Sequence, residues 1–541
     1  MTHEAYDDAV QSFHWSAVHD ALGWKGSERV SLGHSIVDRH VSSGRVALIA
    51  LGKDGRERRY GFAELSQASN RFANLLMRLG VRPGDRVAGL MPRGADVLVA
   101  IIGTLKAGAI YVPIFTGFGS DAIRFRLIHC AAKVLVTHHA AIARLPDGLA
   151  AQIIFVTGED SSPPSAWIDF HRALQVESPE CSPVLRDRSD IAALIYTSGS
   201  TGPPKGGAIA VNFLGAIWPY ILYGLDFRRE DVFWPTGDPG WGYGFVCYLG
   251  ALAAGGTVVS VEENPTAELC LSVLERYRVS NLATTPTLLR SLLALNEDVL
   301  GRATVALRAI SSCGEPLNAK VVDAFQKLWN LTPMDHFGAT EFAIPIGNFN
   351  ALAMPVKAGS MGRPFPGFRM AIVDEAGKEL PVGEVGLIGK RSDPDCLYWS
   401  NYWNDAVATR ALVHHGWIAT GDLGRKDSEG YFWFEGRSGD MIKSAGYRIG
   451  PFEIESALLK HPAVVEAAVV GKPDDLRGEI VKAFVVLRLG MSGTDKLSEE
   501  LVQLVKDMVG RHQYPRLIEY VDALPKTETG KIQRFALRAR P

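Results

Sequence analysis

The stretch IYTSGSTGPPKGG, from Ile195 to Gly207, combines glycines, prolines, hydroxyl side chains and one lysine. Residues of these types interrupt regular helices and strands, so the stretch is predicted to be a loop. Glycine lets backbone N–H groups approach an anion, hydroxyl groups donate hydrogen bonds, and Lys205 adds positive charge. This combination favours a polyphosphate-binding loop over an ordinary surface turn. The spacing G-x-x-x-x-G-K-[ST] is absent, so the loop is not a Walker A loop.

The elements around this loop indicate an α/β architecture. The apolar run DIAALI before the loop is predicted to be a buried strand. From Tyr60 onward, helical patterns (Leu65 to Leu79, then GADVLVAIIGTLKAG) alternate with strand patterns (GDRVAGLM and AIYVPI). Such alternation builds a largely parallel sheet covered by helices. Ligands bind beyond the carboxyl ends of the strands in sheets of this kind, which is where the loop lies.

After about Gly436 the pattern changes to that of a compact α+β module. Predicted helices (PFEIESALLKHP and LSEELVQLVKDMVGRH) alternate with predicted strands (VVEAAVVG, IVKAFVVLRL and LIEYVDAL). The polar, glycine-rich segment EGRSGD, Glu435 to Asp440, is the predicted linker. We therefore expect a large α/β N-terminal domain over residues 1–436, with parallel-rich sheets and covering helices, and a small α+β C-terminal domain over 437–541.

Composition narrows the function classes. A chain of 541 residues exceeds one ordinary core, and 47% hydrophobic with 21% charged residues is typical of a globular protein. The formal net charge of -2 disfavours a generic nucleic-acid binder. The polar N-terminus lacks the apolar region of a signal peptide, and no apolar run reaches membrane-spanning length. The cysteines are scattered without close pairs. We expect a cytoplasmic enzyme without a membrane span.

A series of motifs along nearly the whole chain resembles the adenylate-forming superfamily, which contains acyl-CoA synthetases, peptide-synthetase adenylation domains and luciferases. They are YTSGSTGPPKG, SSCGEPL (311–317), HFGATE (336–341), TGDLG (420–424), RSGDMIKSAGYRIGPFEIE (437–455) and PKTETGKIQR (525–534). The resemblance implies two steps. A carboxylate attacks the α-phosphate of MgATP, giving an acyl-adenylate and pyrophosphate. The C-terminal domain then rotates as a mobile lid, and a thiol, usually that of CoA, takes the acyl group.

The resemblance also implies which residues bind the nucleotide. Asp422 and Arg437 would contact the ribose, and Gly314 to Pro316 would flank the adenine. Thr201 and Glu341 would hold Mg²⁺, because a hard cation bound by few carboxylates and by phosphates fits such a site. The complete predicted nucleotide set is Thr197, Ser198, Gly199, Ser200, Thr201, Gly202, Lys205, Gly314, Glu315, Pro316, His336, Phe337, Gly338, Ala339, Thr340, Asp422, Arg437 and Arg448.

The C-terminal segment would contribute catalysis, CoA binding and the hinge. The predicted catalytic residues are Lys531, Glu341 and Lys443, and Gly446 and Tyr447 would contact CoA. Lys531 would neutralise charge at the α-phosphate, a role worth roughly 10²–10³ in rate. Relatives are acetylated at this lysine, and acetylation would remove its charge. Many relatives carry aspartate or lysine two residues after the arginine of this motif. In this chain Gly439 occupies that position and Asp440 follows, which leaves the hinge open between the two.

The acyl group is predicted from GDPGWGYG (237–244), NYWNDAVATR and the segment from Ala445 to Gly471, which resemble short- and medium-chain acyl-CoA synthetases most. Acetate-specific relatives close the acyl pocket with a tryptophan, which aligns with Gly338, while Ala339 aligns with the following glutamine. This predicts an open pocket, partly refilled by Tyr243, and favours butyrate to medium-chain, branched or aryl acids over acetate. The predicted pocket residues are Trp241, Gly242, Tyr243, Cys313 and Gly338.

The resulting prediction is an AMP-forming acyl-CoA synthetase that uses ATP, CoA and Mg²⁺. Two alternatives remain open at this point. One is a free-standing ligase that loads a carrier protein with the acyl group, and the other is a nucleotide-binding regulator without turnover. Lys531, Glu341 and Asp422 favour a catalyst over the regulator, because all three match the motif.

Overall fold

The structure of the chain is a computed structural model that describes residues 4–149, 151, 153–158, 166–197, 204–444, 447–474, 477–509, 514–526 and 532–540. The first helices are α1 (Tyr6–Ser12), α2 (Trp15–Ala21), α3 (Leu32–Ile36), α4 (Phe62–Arg78), α5 (Ala95–Lys106), α6 (Ser120–His129), α7 (Phe170–Gln175), α8 (Phe213–Ala216) and α9 (Gly242–Ala253). The later helices are α10 (Ala267–Arg276), α11 (Pro286–Leu293), α12 (Glu297–Arg302), α13 (Ala319–Trp329), α14 (Ala406–Ala411), α15 (Pro451–Leu458), α16 (Asp495–Met508) and α17 (Arg534–Ala539). Short 3₁₀ turns span Asp38–Ser43, His139–Arg144 and Pro394–Cys396, and a π-helical turn spans Tyr220–Gly224.

The strands are numbered in chain order. The first are β1 (Glu4–Ala5), β2 (Arg29–Val30), β3 (Val46–Leu51), β4 (Glu57–Gly61), β5 (Arg86–Leu90), β6 (Ile110–Pro113), β7 (Val134–His138), β8 (Ile153–Thr157), β9 (Ile168–Asp169) and β10 (Arg186–Asp187). The next are β11 (Ile191–Thr197), β12 (Lys205–Ala210), β13 (Val232–Pro235), β14 (Thr257–Val261), β15 (Asn281–Thr284), β16 (Ala309–Cys313), β17 (Met334–Ala339), β18 (Ala343–Gly347), β19 (Leu352–Ala353) and β20 (Arg363–Pro364). The last are β21 (Met370–Val373), β22 (Gly386–Arg391), β23 (Trp399–Tyr402), β24 (Val413–His414), β25 (Trp417–Lys426), β26 (Phe432–Arg437), β27 (Ile442–Ser444), β28 (Tyr447–Ile449), β29 (Val464–Asp474), β30 (Gly478–Leu487) and β31 (Leu517–Tyr520).

Two large mixed sheets dominate the described part of the chain. Sheet A has the strand order β23-β12-β11-β6-β5-β7-β8-β9 and is parallel from β11 to β9. Sheet B has the order β20-β18-β17-β16-β15-β13-β14-β3-β4 and is parallel from β17 to β3. Antiparallel strands complete one end of sheet A, at β12 and β23, and both ends of sheet B. The predicted parallel-rich α/β architecture is confirmed.

The main apolar core joins the two sheets through α5 and α9. Nearly every residue of these two helices is buried, including both the sheet-facing and the opposite side of each helix. A helix that is apolar all round belongs in a protein interior, which explains the sequences ADVLVAIIGTLK and GYGFVCYLGALA. The core cluster accordingly contains residues of both sheets, such as Val87 of sheet A and Phe233 of sheet B.

A smaller antiparallel sheet and a C-terminal module follow. Strands β21, β22, β25 and β24 form the smaller sheet, with β26 paired to β25. The C-terminal sheet has the order β28-β27-β30-β29, with β31 parallel to β30, and α15 and α16 pack on it through a separate apolar cluster. This arrangement confirms the predicted α+β module. Among the described residues, no helix combines the length and the apolar character needed to cross a membrane.

The predicted linker from Glu435 to Asp440 is longer than the linker in the structure. Strand β26 continues through Arg437, which lies opposite Asp422 of β25. The ladder extends this far because the two side chains form an ion pair across it. Only Ser438 to Asp440 therefore form a turn between the sheet of β25 and β26 and the C-terminal module.

Candidate active site

The phosphate-loop motif sits at the end of a central strand of sheet A. Strand β11 leads into it and β12 leads out, with Thr197 opposite Lys205 and Ile195 opposite Gly207. The loop is thus the connection of a hairpin, which agrees with the predicted position after a buried strand. Predicted residues 198–202 lie outside the described residues. A Cβ atom on Gly207 would lie 2.9 Å from Cγ2 of Thr340, so glycine at this position permits close approach to the HFGATE segment.

The predicted metal-binding glutamate is buried beside a tyrosine. Glu341 is 6% exposed, and its Oε1 accepts a short hydrogen bond from the hydroxyl of Tyr402, itself 7% exposed. Burial raises the pKa of Glu341, and the Tyr402 hydrogen bond acts in the opposite direction. Burial and the neighbouring Glu341 carboxylate also raise the pKa of Tyr402. The ammonium group of Lys205 lies 5.3 Å from the centre of the Tyr402 ring, on its face.

The predicted ribose contacts form an ion pair next to Glu341. Nε of Arg437 donates to Oδ1 of Asp422 at 3.0 Å, and the hydroxyl of Thr420 donates to Oδ2 at 2.6 Å. Asp422 is only 4% exposed, so its carboxylate is held in one orientation. The Asp422 charge, followed by that of Glu341, raises the pKa of Arg437. The structure therefore brings Lys205, Glu341 and the Asp422–Arg437 pair, which the sequence assigns to one site, close together.

The predicted adenine segment follows β16 and is fixed by an ion pair. Gly314 has φ +98°, and a Cβ there would lie 2.8 Å from the Trp241 indole, so two requirements favour glycine. The Glu315 carboxylate accepts from the Thr287 hydroxyl at 2.7 Å and from Arg290 at 2.8 Å. Both partners belong to α11, so this helix orients the segment that would face the adenine.

Two buried polar residues precede Phe337 on β17. Burial raises the pKa of Asp335 to about 8 and lowers that of His336 to about 3, so both are neutral near pH 7. Nε2 of His336 pairs with the Asn348 carbonyl at 2.9 Å. Asp335 accepts from the Leu317 N–H at 3.3 Å, while its Oδ1 has no hydrogen-bond partner in the described part of the chain. Asp335 thus has hydrogen-bonding capacity left at the end of the adenine segment.

The residues predicted to line the acyl pocket belong to a cluster of aromatic side chains. The hydroxyls of Tyr243 and Tyr220 are 2.9 Å apart, and both side chains are buried. Trp241 packs edge-on against Tyr243 with ring centres 6.1 Å apart. Cys313, at the end of β16, is also buried and interacts electrostatically with both tyrosines. The structure therefore brings the predicted Trp241, Tyr243 and Cys313 close together.

Gly338 packs closely against neighbouring backbone, so a side chain at this position would not point into open space. A Cβ atom on Gly338 would lie 2.2 Å from the carbonyl oxygen of Ala343 and 3.0 Å from Cα of Ile344. The pairing of β17 with β18 is irregular between Phe337 and Ala339, and this irregularity brings the neighbouring backbone against Gly338. Alignment with relatives shows that glycine replaces tryptophan at position 338. It does not show the direction in which the Cα–Cβ bond at this position points.

The C-terminal predictions are only partly covered by the described residues. Lys443 and Arg448 lie opposite each other in the β27–β28 hairpin, and Tyr447 lies opposite Ser444. For these residues the structure describes the backbone register, and Gly446 and Lys531 lie outside the described residues. Asp440 accepts from Arg538 at 2.5 Å and lies 3.8 Å from Arg534, so its carboxylate is anchored to α17.

Three residues of this site were missed from the sequence. Tyr402 lies in NYWND, Arg290 in TPTLLRS and Asp335 directly before HFGATE. Asp335 belongs to the same strand as a recognised motif, and Tyr402 lies in the NYWNDAVATR segment that resembles acyl-CoA synthetases, but neither residue was assigned to the site. Tyr402 and Arg290 meet their carboxylate partners through tertiary packing.

The donor set fits magnesium bound mainly through nucleotide phosphates. Within the described residues, no group of three or more His, Cys, Asp or Glu side chains could hold a metal ion alone. A single buried carboxylate with one oxygen fixed by Tyr402 suits Mg²⁺, which usually keeps several waters and binds one or two carboxylates plus phosphates.

Comparisons with known proteins agree with this geometry. Residues 38–393 match the model of the AMP-binding enzyme family, and residues 453–531 match that of the AMP-binding enzyme C-terminal domain. Acetyl-coenzyme A synthetase of Bacillus subtilis (strain 168) is 37% identical over 99% of this chain and 94% of its own length. The structure of an acyl-CoA synthetase from Brucella canis is 39% identical with a TM-score of 0.80, covering 99% of this chain and 98% of that one. A benzoate CoA ligase from Burkholderia xenovorans LB400 is 31% identical with a TM-score of 0.83, covering 94% and 100%. The chain belongs to the AMP-binding enzyme family, within the adenylate-forming superfamily.

Proposed function

We propose that the chain is an AMP-forming acyl-CoA synthetase that converts a carboxylate, ATP and CoA into acyl-CoA, AMP and pyrophosphate. The observation that carries the proposal is the position of Glu341. Its buried carboxylate accepts a hydrogen bond from Tyr402 and interacts electrostatically with the Asp422–Arg437 ion pair, and Lys205 lies over the ring of the same tyrosine. One site thus holds groups suited to ribose, phosphate and a divalent cation.

In the first step, these residues would orient ATP for attack by the substrate carboxylate. Asp422 would accept hydrogen bonds from the ribose hydroxyls, and Lys205 and the 198–202 loop would bind phosphates. Mg²⁺, held by Glu341 and Thr201, would neutralise phosphate charge when bound. The carboxylate oxygen bonds to the α-phosphorus and the bond to pyrophosphate breaks. The Lys531 cation would offset the negative charge that develops there.

In the second step, the C-terminal module would rotate about Gly439. On one side, the N–H of Ser438 donates to the carbonyl of Gly421 at 2.8 Å, in the β25–β26 sheet. On the other side, Asp440 is bound to Arg538 of α17. Gly439 lies between these anchors, and a Cβ on it would meet no atom within 4 Å. These contacts favour Gly439 over Asp440 as the pivot, with residues 440–541 moving together.

The acyl group proposed is short to medium in chain length, or aryl. Two relatives are named for acetate and for benzoate, so the acyl preference of this chain is inferred from its own pocket residues. Because a side chain at position 338 would meet backbone, the length limit is assigned to the buried Tyr243–Tyr220 pair, formed between α9 and the π-helical turn. Trp241 and Tyr243 offer aromatic faces to a branched or aryl group.

The test is a carboxylate panel from acetate to octanoate, with benzoate, assayed for pyrophosphate release with and without CoA. We expect a thioester, identified by mass spectrometry, only when CoA is present. Hydroxamate formation with hydroxylamine would report the acyl-adenylate. Adenylation without any transfer to CoA would favour the carrier-protein ligase. Absence of pyrophosphate release across the panel would refute the enzymatic assignment.

The Lys531 assignment can be tested by separating the half-reactions. We expect Lys531→Ala to cripple adenylate formation and to leave conversion of supplied acyl-adenylate and CoA largely intact. Equal loss in both half-reactions would contradict the assignment. Acetylation of Lys531 would mimic this variant, because it removes the same charge. A cytoplasmic location remains a prediction from the composition.

A further inference from the structure

Tyr402 contacts two of the groups assigned above to MgATP, and it lies in the NYWNDAVATR segment, to which the sequence assigned no site residue. It ends β23, the edge strand of sheet A, and lies opposite Gly207 of β12. Its backbone N–H donates to Oγ1 of Thr409 at 2.9 Å, and its ring packs edge-on against Trp399 with centres 5.4 Å apart. The side chain therefore has a fixed position next to the strand that carries the phosphate-loop lysine.

The hydroxyl end of Tyr402 fixes the orientation of Glu341. It donates a short hydrogen bond to Oε1, and both side chains are more than nine-tenths buried. A buried carboxylate without such a donor would lose much of its preference for one rotamer and for the ionised form. The hydroxyl therefore presents the remaining oxygen of Glu341 in a constant direction.

The ring of Tyr402 contacts the second group, the ammonium of Lys205. The ammonium of Lys205 lies over its face at 5.3 Å from the centre, which is within the range of a cation–π contact. Lys205 is exposed on β12 and would otherwise sample many rotamers. One side chain thus links the lysine assigned to the phosphates with the carboxylate assigned to the cation.

We propose that Tyr402 is a positioning residue for metal-bound nucleotide: its hydroxyl holds Glu341 for the divalent cation, while its ring guides Lys205 toward the phosphates. This inference rests on the proposed function, because it takes Glu341 as the metal-binding carboxylate. It makes Tyr402 the link between the phosphate-loop motif and the HFGATE motif.

The test uses Tyr402→Phe in the full-length protein and measures binding rather than turnover. Calorimetric titration measures the affinity for α,β-methylene-ATP, once in the presence of Mg²⁺ and once in the presence of EDTA. The ratio of the two affinities is the gain that the metal confers. Tyr402→Phe keeps the ring and removes only the hydroxyl. We expect the metal-dependent gain to fall about tenfold, as for loss of one hydrogen bond to a charged group. Affinity in EDTA should stay at the wild-type value.

The matched control is Tyr248→Phe, which removes another buried tyrosine hydroxyl, bonded to Ser260 at 3.1 Å. Tyr248→Phe should leave the nucleotide affinity unchanged both in Mg²⁺ and in EDTA. It should lower the Tm about as much as Tyr402→Phe does. A wild-type metal gain in Tyr402→Phe would overturn the inference. An equal loss with and without metal would also overturn it, because that pattern indicates a merely structural role. If the wild-type protein shows no metal gain, or Glu341→Gln retains it, the assignment of Glu341 in the proposed function fails instead, and the role of Tyr402 fails with it.

Discussion

Tyr243 should set the length of acyl chain that the enzyme accepts. Its side chain is buried on α9, and its hydroxyl bonds to that of Tyr220 at 2.9 Å. Tyr243→Ala removes a ring and a hydroxyl from this end of the pocket. The space gained corresponds to roughly three methylene groups, each contributing about 0.8 kcal/mol when buried. The expected change is therefore about 2.4 kcal/mol, or roughly fiftyfold in relative kcat/KM.

The measurement is kcat/KM for a homologous series from propionate to octanoate, expressed as the ratio of each acid to propionate. Ratios remove changes in the fraction of active enzyme, which matter because truncating a buried aromatic side chain costs about 3–5 kcal/mol. Tyr243→Leu, which keeps more volume, provides a smaller shift in the same direction where Tyr243→Ala folds poorly.

Tyr248→Ala is the control for this prediction. Tyr248 lies on the same helix and is as deeply buried, but its hydroxyl bonds to Ser260 rather than to Tyr220. It should reduce stability to a similar extent and leave the chain-length ratios unchanged. Unchanged ratios in Tyr243→Ala, or an equal shift in both variants, would refute the assignment of Tyr243 to the pocket wall.

Three further substitutions test other parts of the site. Asp422→Ala should raise KM for ATP and reduce discrimination against 2′-deoxy-ATP, since each charge-assisted ribose contact contributes about 1.5–3 kcal/mol; an unfolded variant would indicate a structural aspartate instead. Gly338→Ala should lower the Tm, because its Cβ would lie 2.2 Å from the Ala343 carbonyl oxygen, whereas Gly439→Ala, with no atom within 4 Å, should not. Burial raises the pKa of Asp335 to about 8, so the folded state keeps a proton that the unfolded chain loses above about pH 4. The stability that this group contributes is therefore lost as pH rises from about 4 to about 8. In thermal melts, the Tm of Asp335→Asn relative to that of the wild type should rise over this pH range. A Tm difference that does not depend on pH would contradict the raised pKa of Asp335.

The sequence predicted the features that depend on local patterns. The strand before the phosphate loop, helices α4 and α5 and the order of elements after Pro451 follow from apolar periodicity and turn residues, and the structure agrees. The extent of the linker was not predictable in this way. Arg437 looks like a polar linker residue, but pairing with Asp422 across two strands extends β26 by the residues Glu435 to Arg437.

The parts of the site that the sequence missed depend on tertiary contacts. Tyr402 is 61 positions from Glu341 in the chain, and Arg290 is 25 positions from Glu315, so no short motif contains either pair. A similar limit applies to Gly338. Aligning it with a tryptophan of relatives assumes that both residues point into the pocket, whereas the irregular β17–β18 pairing directs this position toward backbone.

The glycines of the motifs illustrate how one residue type serves two purposes. The sequence alone explains glycine in the phosphate loop and in SSCGEPL by close approach of backbone to the nucleotide. The structure adds a second reason at Gly207 and Gly314, because other side chains pack where a Cβ would lie. Thr340 packs against Gly207, and Trp241 packs against Gly314. Each contact joins sheet A or the α9 region to sheet B, whose strand ends carry Glu341 and Glu315. A methyl group at Gly207 should therefore push sheet A away from the segment that carries Glu341, and one at Gly314 should push the α9 region away from the segment that carries Glu315. Either substitution should impair nucleotide binding although the added methyl group does not contact the nucleotide.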